Sequence, residues 1–546
     1  MKRIYKLLIL SFTLLSMGCE KSLDLSPKDQ LSDASFWNQS SDFMLAANDF
    51  YFGLSEAPQY IDRNSDLAFG LGPDPVSNGS YQPAETSELW DNSYERIRAA
   101  NYLLQKAEES ELGGEIDRWV GEALFFRAYH YWNLVSTFGG VPKIDKVLDI
   151  DSEELHAPRA SQAEIIDFIL SDLDNAAALL PAQTDLTEDE LGRVTRGAAL
   201  ALKARAALYM GTWATYHEGA GAETYIQAAI DAAEAVISSG TYALYDEKGA
   251  DSYKYFFILE GDDSKEVILA RRYYLTVAEH NWTRELWFNQ MIPTKSLADM
   301  YLCTDGLPTT ISDRFEGHDR FESEFQNRDP RMQMTFVIPG SQIVSEGGNW
   351  QTIYPGFTGT NATRTGYMLR KFLDETVDAA TFRGHYDLKE FRYGEVLLIL
   401  AEALFERDAE ISDEDLDRTI NLLRARVNMP PLTNAHVTTH GLDMRTEIRR
   451  ERTVELAFEG FRRDDLRRWK TAETELPKAI RGVKFTGTEY AERYPQGSSQ
   501  LQLDSDGFVV AEPAGRRQFL PKHYLDPLPL QEIQLSGGVL EQNVGW

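Results

Sequence analysis

With 546 residues the chain exceeds an ordinary single domain, so a large core or an array of stacked helices is expected. Its formal charge is −31, with 86 Asp and Glu against 55 Lys and Arg, and such a surface repels the phosphates that nucleic-acid binding must neutralise. Of its two cysteines, Cys19 and Cys303, the second stands alone in YLCTDG and reads as a buried thiol; modification of Cys19 would leave no partner for a disulfide.

Residues 1–18 have the form of an export signal: Lys2, Arg3 and Lys6 precede an apolar run from Leu7 to Met17 that is too short to span a bilayer. The end of the run, LLSMGC, resembles a bacterial lipoprotein processing site, which makes Cys19 the expected acylated first residue of the mature chain. Two or more acyl chains, at about 0.8 kcal/mol per buried methylene, suffice for stable anchoring. Residues 19–35 are polar, as befits a tether, and 36–546 are expected to form one globular unit.

Residues 36–240 carry the periodicity of helices. In SSDFMLAANDFYFGL, Phe43, Ala47, Phe50 and Leu54 share a face, with Ser40 or Ser41 as the N-cap. Trp90, Tyr94, Ile97 and Leu104 form the next stripe, and Asn101 between them needs an internal partner. From Glu115 to Phe138 the chain is apolar on most sides, so that helix is buried until Gly139, Gly140 and Pro142 end it. Ser161 and Glu164 make a capping box for a helix carrying Ile166, Ile169, Leu173 and Ala176. The alanine-rich stretch 195–240 then gives two helices close enough to form a tetratricopeptide-type hairpin, and 389–427 gives a second such pair.

Between the pairs, residues 241–388 lose periodicity and gain Gly, Pro, Asp and aromatics. Long irregular stretches of this kind are functional or disordered, and the aromatics favour function. Arg449–Trp469 (RRERTVELAFEGFRRDDLRRW) follows: Val454, Phe458 and Phe461 fall on one helix face, and Glu451, Arg452, Glu455 and Glu459 alternate in sign among them. Such a helix is half core and half ion network. Residues 471–546 are loops and an extended end, with Pro527 and Pro529 favouring an open path.

ERTVELAFEGFRRDDLRRW closely resembles the most recognisable motif of the SusD/RagB family. The stretches SFWNQSSDF, YERIRAANYLL, GEALFFRAYHYWNLVSTFGGVP, GRVTRGAALALKARAALYMG, NRDPRM, GYMLRKF and the closing segment from Tyr524 to Trp546 resemble further landmarks of that family, in its order. The resemblance implies a mainly α fold, a superhelix of tetratricopeptide-like hairpins behind a loop-rich ligand-binding face. It also implies a surface-exposed outer-membrane lipoprotein that captures a glycan or oligosaccharide for a SusC-like TonB-dependent transporter, binding without cleaving. Peptide capture is the alternative within the family, and a surface glycosidase the alternative outside it.

A sugar offers an apolar ring face and a rim of hydroxyls, so its binder needs flat aromatics plus a few polar groups. Trp119, Trp132 and Trp213 sit in helical patterns and Trp37, Trp469 and Trp546 in the landmarks, which assigns those six to packing. Trp282, Trp287 and Trp350 remain as ligand platforms, with Tyr354, Tyr81 and Trp90 as further surface and Asp66 and Arg364 as polar contacts. The competing reading of each ring is that it plugs a loop onto the body. His436 and His440 lie four apart in HVTTH but lack the glutamate of HExxH and follow two prolines, which suggests a loop and no metal. Calcium on loop carboxylates is possible without an assignable site. No phosphate loop, CxxC pair or GxSxG elbow is present, no catalytic residue is assigned, and no cofactor is expected.

Overall fold

The computed structural model describes residues 36–546 apart from 57–60, 346, 360–361 and 379–382. The signal, the tether and Cys19 lie outside the described residues. The main helices are α1 (Ser40–Asn48), α2 (Glu88–Glu108), α3 (Asp117–Phe138), α4 (Gln162–Leu179), α5 (Arg196–Tyr216), α6 (Ala222–Ser238) and α7 (Tyr393–Asp408). Shorter ones follow: α8 (Ile420–Arg426), α9 (Asn434–His440), α10 (Met444–Glu455), α11 (Arg462–Arg468) and α12 (Glu489–Arg493).

From α2 onward each long helix packs on the one before it, and α7 packs on α6 across the whole intervening insert. Small residues set the spacing: at Gly211 of α5 an added Cβ would lie 2.7 Å from Ile226 of α6, and Ala229, Ala232 and Ala233 continue that seam. The caps act as the sequence suggests at α4, where the Ser161 Oγ accepts from the Glu164 amide at 3.2 Å and the Glu164 carboxylate accepts from the Ser161 amide at 2.7 Å. At α1 they differ. Asp42 accepts from the Asn38 and Gln39 amides, and Ser40 instead donates to the Glu115 carbonyl and accepts from the Trp119 indole. The Asn101 side chain finds its internal partners in the Ile144 and Lys146 carbonyls and Arg127.

The insert leaves the scaffold and returns to it through one neck. Strand β2 (Val267–Arg271) pairs antiparallel with β6 (Leu388–Arg392), Val267 opposite Arg392 and Arg271 opposite Leu388. Beyond the neck lie β4 (Ser341–Ser345) and β5 (Asn349–Ile353), an antiparallel hairpin, while β1 (Ala68–Phe69) joins β3 (Ile292–Pro293) and β7 (Ile480–Lys484) joins β8 (Phe508–Glu512). The scaffold core runs from Phe43 to Leu540, and a second core of rings, among them Trp282, Tyr301, Phe336, Tyr367 and Phe485, lies under the insert.

The stretch 449–469 is not one helix. α10 stops at Glu455, Phe458 takes φ 66° and Gly460 φ 87°, and α11 starts at Arg462. The break turns Glu455 and Glu459 together toward Arg392, whose guanidinium reaches both at 2.7 to 2.9 Å. Glu455 also binds Arg426 at 2.6 Å and Arg331 at 2.9 Å, Lys371 binds Glu459 at 2.7 Å, and Arg468 binds Glu402 at 2.5 Å. Burial pushes the Glu455 carboxyl up, but Arg426, Arg392 and Arg331 outweigh it and hold it far below the usual carboxylate range. The alternating signs therefore encode a buried ion cluster that ties the scaffold to the insert. A half-enclosed cavity of about 210 Å³ borders it, lined by Arg205, Glu390, Glu459 and Asp464 among others.

Candidate ligand-binding site

Only part of the aromatic set proposed from sequence faces solvent. Trp350, 59 % exposed, stands on β5, and Tyr354, 38 % exposed, lies one residue past its end. Trp350, Thr352 and Tyr354 alternate along one extended segment, so they share a side. The Thr352 hydroxyl accepts from the Gln342 amide across the hairpin. Tyr354, Thr352 and Thr358 then meet Arg493 and Tyr494, at the end of α12, around a groove of about 540 Å³.

The groove has a built floor. The Tyr354 ring leans on Phe321 at 5.8 Å, Phe321 meets Tyr490 edge-on at 4.7 Å, and Phe357 sits 5.6 Å from Tyr494. The Arg493 guanidinium lies 4.2 Å from the Tyr354 ring centroid. Thr488 caps the short α12, accepting from the Tyr490 amide. Gly356 lets the Tyr494 ring approach, because an added Cβ would collide with the Tyr494 hydroxyl. Flat rings, threonine hydroxyls and a guanidinium around an open groove suit a ligand with an apolar face and a polar rim.

The other residues selected from sequence lie elsewhere. Trp282 and Trp287 begin and end a short helix and are each 2 % exposed, one in the core of rings and the other against Val337, Ile343 and Met368; they support the insert and offer no ligand face. Trp90, 4 % exposed, packs on Tyr94 and Phe138 and shows only an edge to a second groove. Tyr81 donates to Asp526 at 3.1 Å and packs between His523 and Trp546, where burial and then the Asp526 charge push its hydroxyl up to about 12. Asp66 is buried and bound by Arg462 at 2.8 and 2.9 Å, which makes it a structural ion pair. Arg364 is exposed, on the segment where the Thr363 amide donates to the Gly356 carbonyl, and it does not line the groove.

Arg493 and Tyr494 are the members that sequence reasoning missed. The stretch after Trp469 reads as polar loop, yet Tyr490 and Tyr494 in TEYAERYPQG lie four apart behind a threonine cap, which is the signal that could have found α12. HVTTH is likewise helical, with α9 capped by Thr433 and the two imidazoles 4.8 Å apart. Among the described residues no three His, Cys, Asp or Glu side chains gather as metal ligands, and no helix is long and apolar enough to cross a membrane. Cys303 is buried and unpaired, with its thiol pushed up by burial.

Comparison with known proteins agrees with this architecture. The family model described as starch-binding associating with outer membrane matches residues 75–208. The SusD-like protein P38 of Formosa agariphila is 27 % identical over 299 residues, 50 % of this chain and 54 % of its own length. The chain thus spans about half the length of that curated relative. A SusD-like carbohydrate binding protein of Bacteroides fragilis superposes with a TM-score of 0.77 at 26 % identity, covering 92 % of this chain and 99 % of that one. A second SusD-like protein of that organism gives 0.75 at 25 %, covering 95 % and 100 %. The SusD family model itself matches residues 246–546, more than half of the chain, and the chain belongs to the SusD family.

Proposed function

We propose that this protein binds a glycan or oligosaccharide at the outer surface of the outer membrane, held there by acylated Cys19, and passes it to a SusC-like TonB-dependent transporter. The observation that carries the reading is the groove at Tyr354 and Arg493, with Trp350 exposed further along the same strand, where aromatic surface is left in water beside hydroxyl and guanidinium groups. An indole 59 % exposed on a hairpin adds little to the core, since its burial contributes mainly when water is excluded from it. A sugar ring laid against it excludes that water while leaving its hydroxyls free for Thr352, Thr358 and Arg493. The description of the B. fragilis neighbour as carbohydrate-binding and the outer-membrane description of the matching family model support the same reading. Binding contacts of this kind are weak singly, and tethering beside a transporter mouth raises the effective concentration of the captured ligand. The scaffold of stacked helices holds the groove still and gives a transporter a rigid body to engage.

The test is a glycan array followed by affinity electrophoresis on the chain lacking residues 1–19. Trp350→Ala and Tyr354→Ala should each weaken retention of the bound glycan by about tenfold, equivalent to about 1.4 kcal/mol. Far-ultraviolet circular dichroism should be unchanged. Equal retention by both variants and the parent would remove the site, and turnover of the glycan would replace the reading with a hydrolase.

A further inference from the structure

The groove holds a cation that no carboxylate among the described residues pairs with. Arg493 stacks on Tyr354 at 4.2 Å and approaches the Phe321 ring at 5.9 Å, but among the described residues it makes no hydrogen bond or ion pair. Arginines on neighbouring segments are claimed: Arg320 by Glu322 at 3.0 Å, Arg370 by Glu375 at 2.5 Å and Arg481 by Asp504 at 3.5 Å. Arg364, exposed on the segment beside Gly356, also has no ion-pair or hydrogen-bond partner among the described residues. In a chain of net charge −31, carboxylates are abundant, yet the arginine that lines this groove is paired with none among the described residues.

The Tyr354 ring packs against the guanidinium. A guanidinium over an aromatic face keeps its plane against the ring and its N–H edge free in the fork geometry that matches a carboxylate or sulfate. The acids nearest in sequence do not occupy it. Glu489 accepts from the Phe321 amide at 2.7 Å and faces Arg320, and Glu492 projects about 100° around α12 from Arg493. An anion approaching this protein meets overall repulsion, so its recognition requires local cations of this kind.

Resting on the reading of the groove as a glycan site, we infer that its ligand is an anionic glycan, one whose sugars carry carboxylate or sulfate groups, with Arg493 as the anion-recognising residue and Trp350 and Tyr354 as the ring platforms. Neutral glycans would gain the stacking and forgo the fork.

Matched probes separate the alternatives: polygalacturonate against its carboxyl-reduced form, and κ-carrageenan against its desulfated form, run in affinity electrophoresis with the parent, Arg493→Gln, Arg493→Lys and Trp350→Ala. The expected result is retention of at least one anionic probe with weaker retention of its neutral counterpart. Arg493→Gln should weaken the anionic probe about tenfold and the neutral one, which loses only a hydroxyl contact, by less than about threefold; Arg493→Lys should restore part of the anionic loss, and rising salt should reproduce it. Carboxylate and sulfate are told apart by which pair shows the difference. Neutral forms retained as well as anionic ones, with Arg493→Gln silent and Trp350→Ala weakening both, would overturn the anionic assignment and leave the glycan site standing. A parent that retains no probe here and no glycan on the array would overturn both.

Discussion

Glu455 shows how much a single buried side chain can join. Its carboxylate is fully enclosed and shared by Arg331, Arg392 and Arg426, which come from the insert, the neck strand and α8. A buried charge cluster is weak evidence of net stability, but removing one partner strands the others without compensation. Glu455→Gln should therefore lower stability by about 3–5 kcal/mol, read as a fall in the denaturant midpoint. A loss of less than about 1 kcal/mol would mean that the cluster relaxes or hydrates instead. Asp62 makes the opposite case. Burial raises its carboxyl from 3.8 to about 7, and one of its oxygens has no hydrogen-bond partner. A folded-state value above the unfolded one gives stability that is full below about 4 and is lost as pH rises through about 7. Asp62→Asn should abolish that decline and be the more stable protein at pH 8, by a margin on the order of 3 kcal/mol. A parent and variant with parallel stability curves from pH 4 to 8 would refute it. The sign alternation at 449–469 was legible as an ion network, but its partners were not, because Arg331, Arg392 and Arg426 are separated from it in the chain and carry no periodic signal of their own.

At the level of elements, what a segment packs on decided what could be read in advance. The long helices declare themselves through apolar stripes, alanine seams and caps, since those patterns are local. The break at Phe458 and Gly460 does not, because it serves contacts with distant residues rather than local propensity. The tryptophans divide for the same reason. Trp282 and Leu286 lie four apart and bury one face of a short helix, a pattern obscured by its brevity, whereas Trp350 sits between Asn349 and Gln351 and continues into Thr352, the composition of a strand exposed along most of its length. Gly356 tests the groove as a built element. Its Cβ is excluded by the Tyr494 ring, so Gly356→Ala should drive that ring outward, narrow the groove and cut glycan retention about tenfold, while the helical dichroism stays unchanged. Retention equal to the parent would show that Tyr494 is not part of the binding surface.

The whole molecule joins two cores that face the same acid limit. Glu402, on α7 in the scaffold, accepts from Arg468 and from the Trp469 indole; burial raises its carboxyl, but Arg468 outweighs it and brings the value to about 2. Glu324, under the insert, accepts from the Tyr367 hydroxyl, and Lys295 likewise overcomes burial to bring it to about 2. Both folded values lie below the ordinary 4.5, so each contribution is complete above about 4.5 and disappears as pH falls through about 2. The ion cluster at Glu455 links the scaffold to the insert and is itself held low, so these carboxylates of the two cores give way together in acid. Acid unfolding should therefore be a single transition below pH 4, with helical dichroism and tryptophan emission moving together. Glu402→Gln should be less stable at pH 7 and lose less on acidification, because it has no proton to take up there. Two separated transitions, or a variant whose stability falls with acid as steeply as the parent's, would mean that the cores are not coupled through these carboxylates.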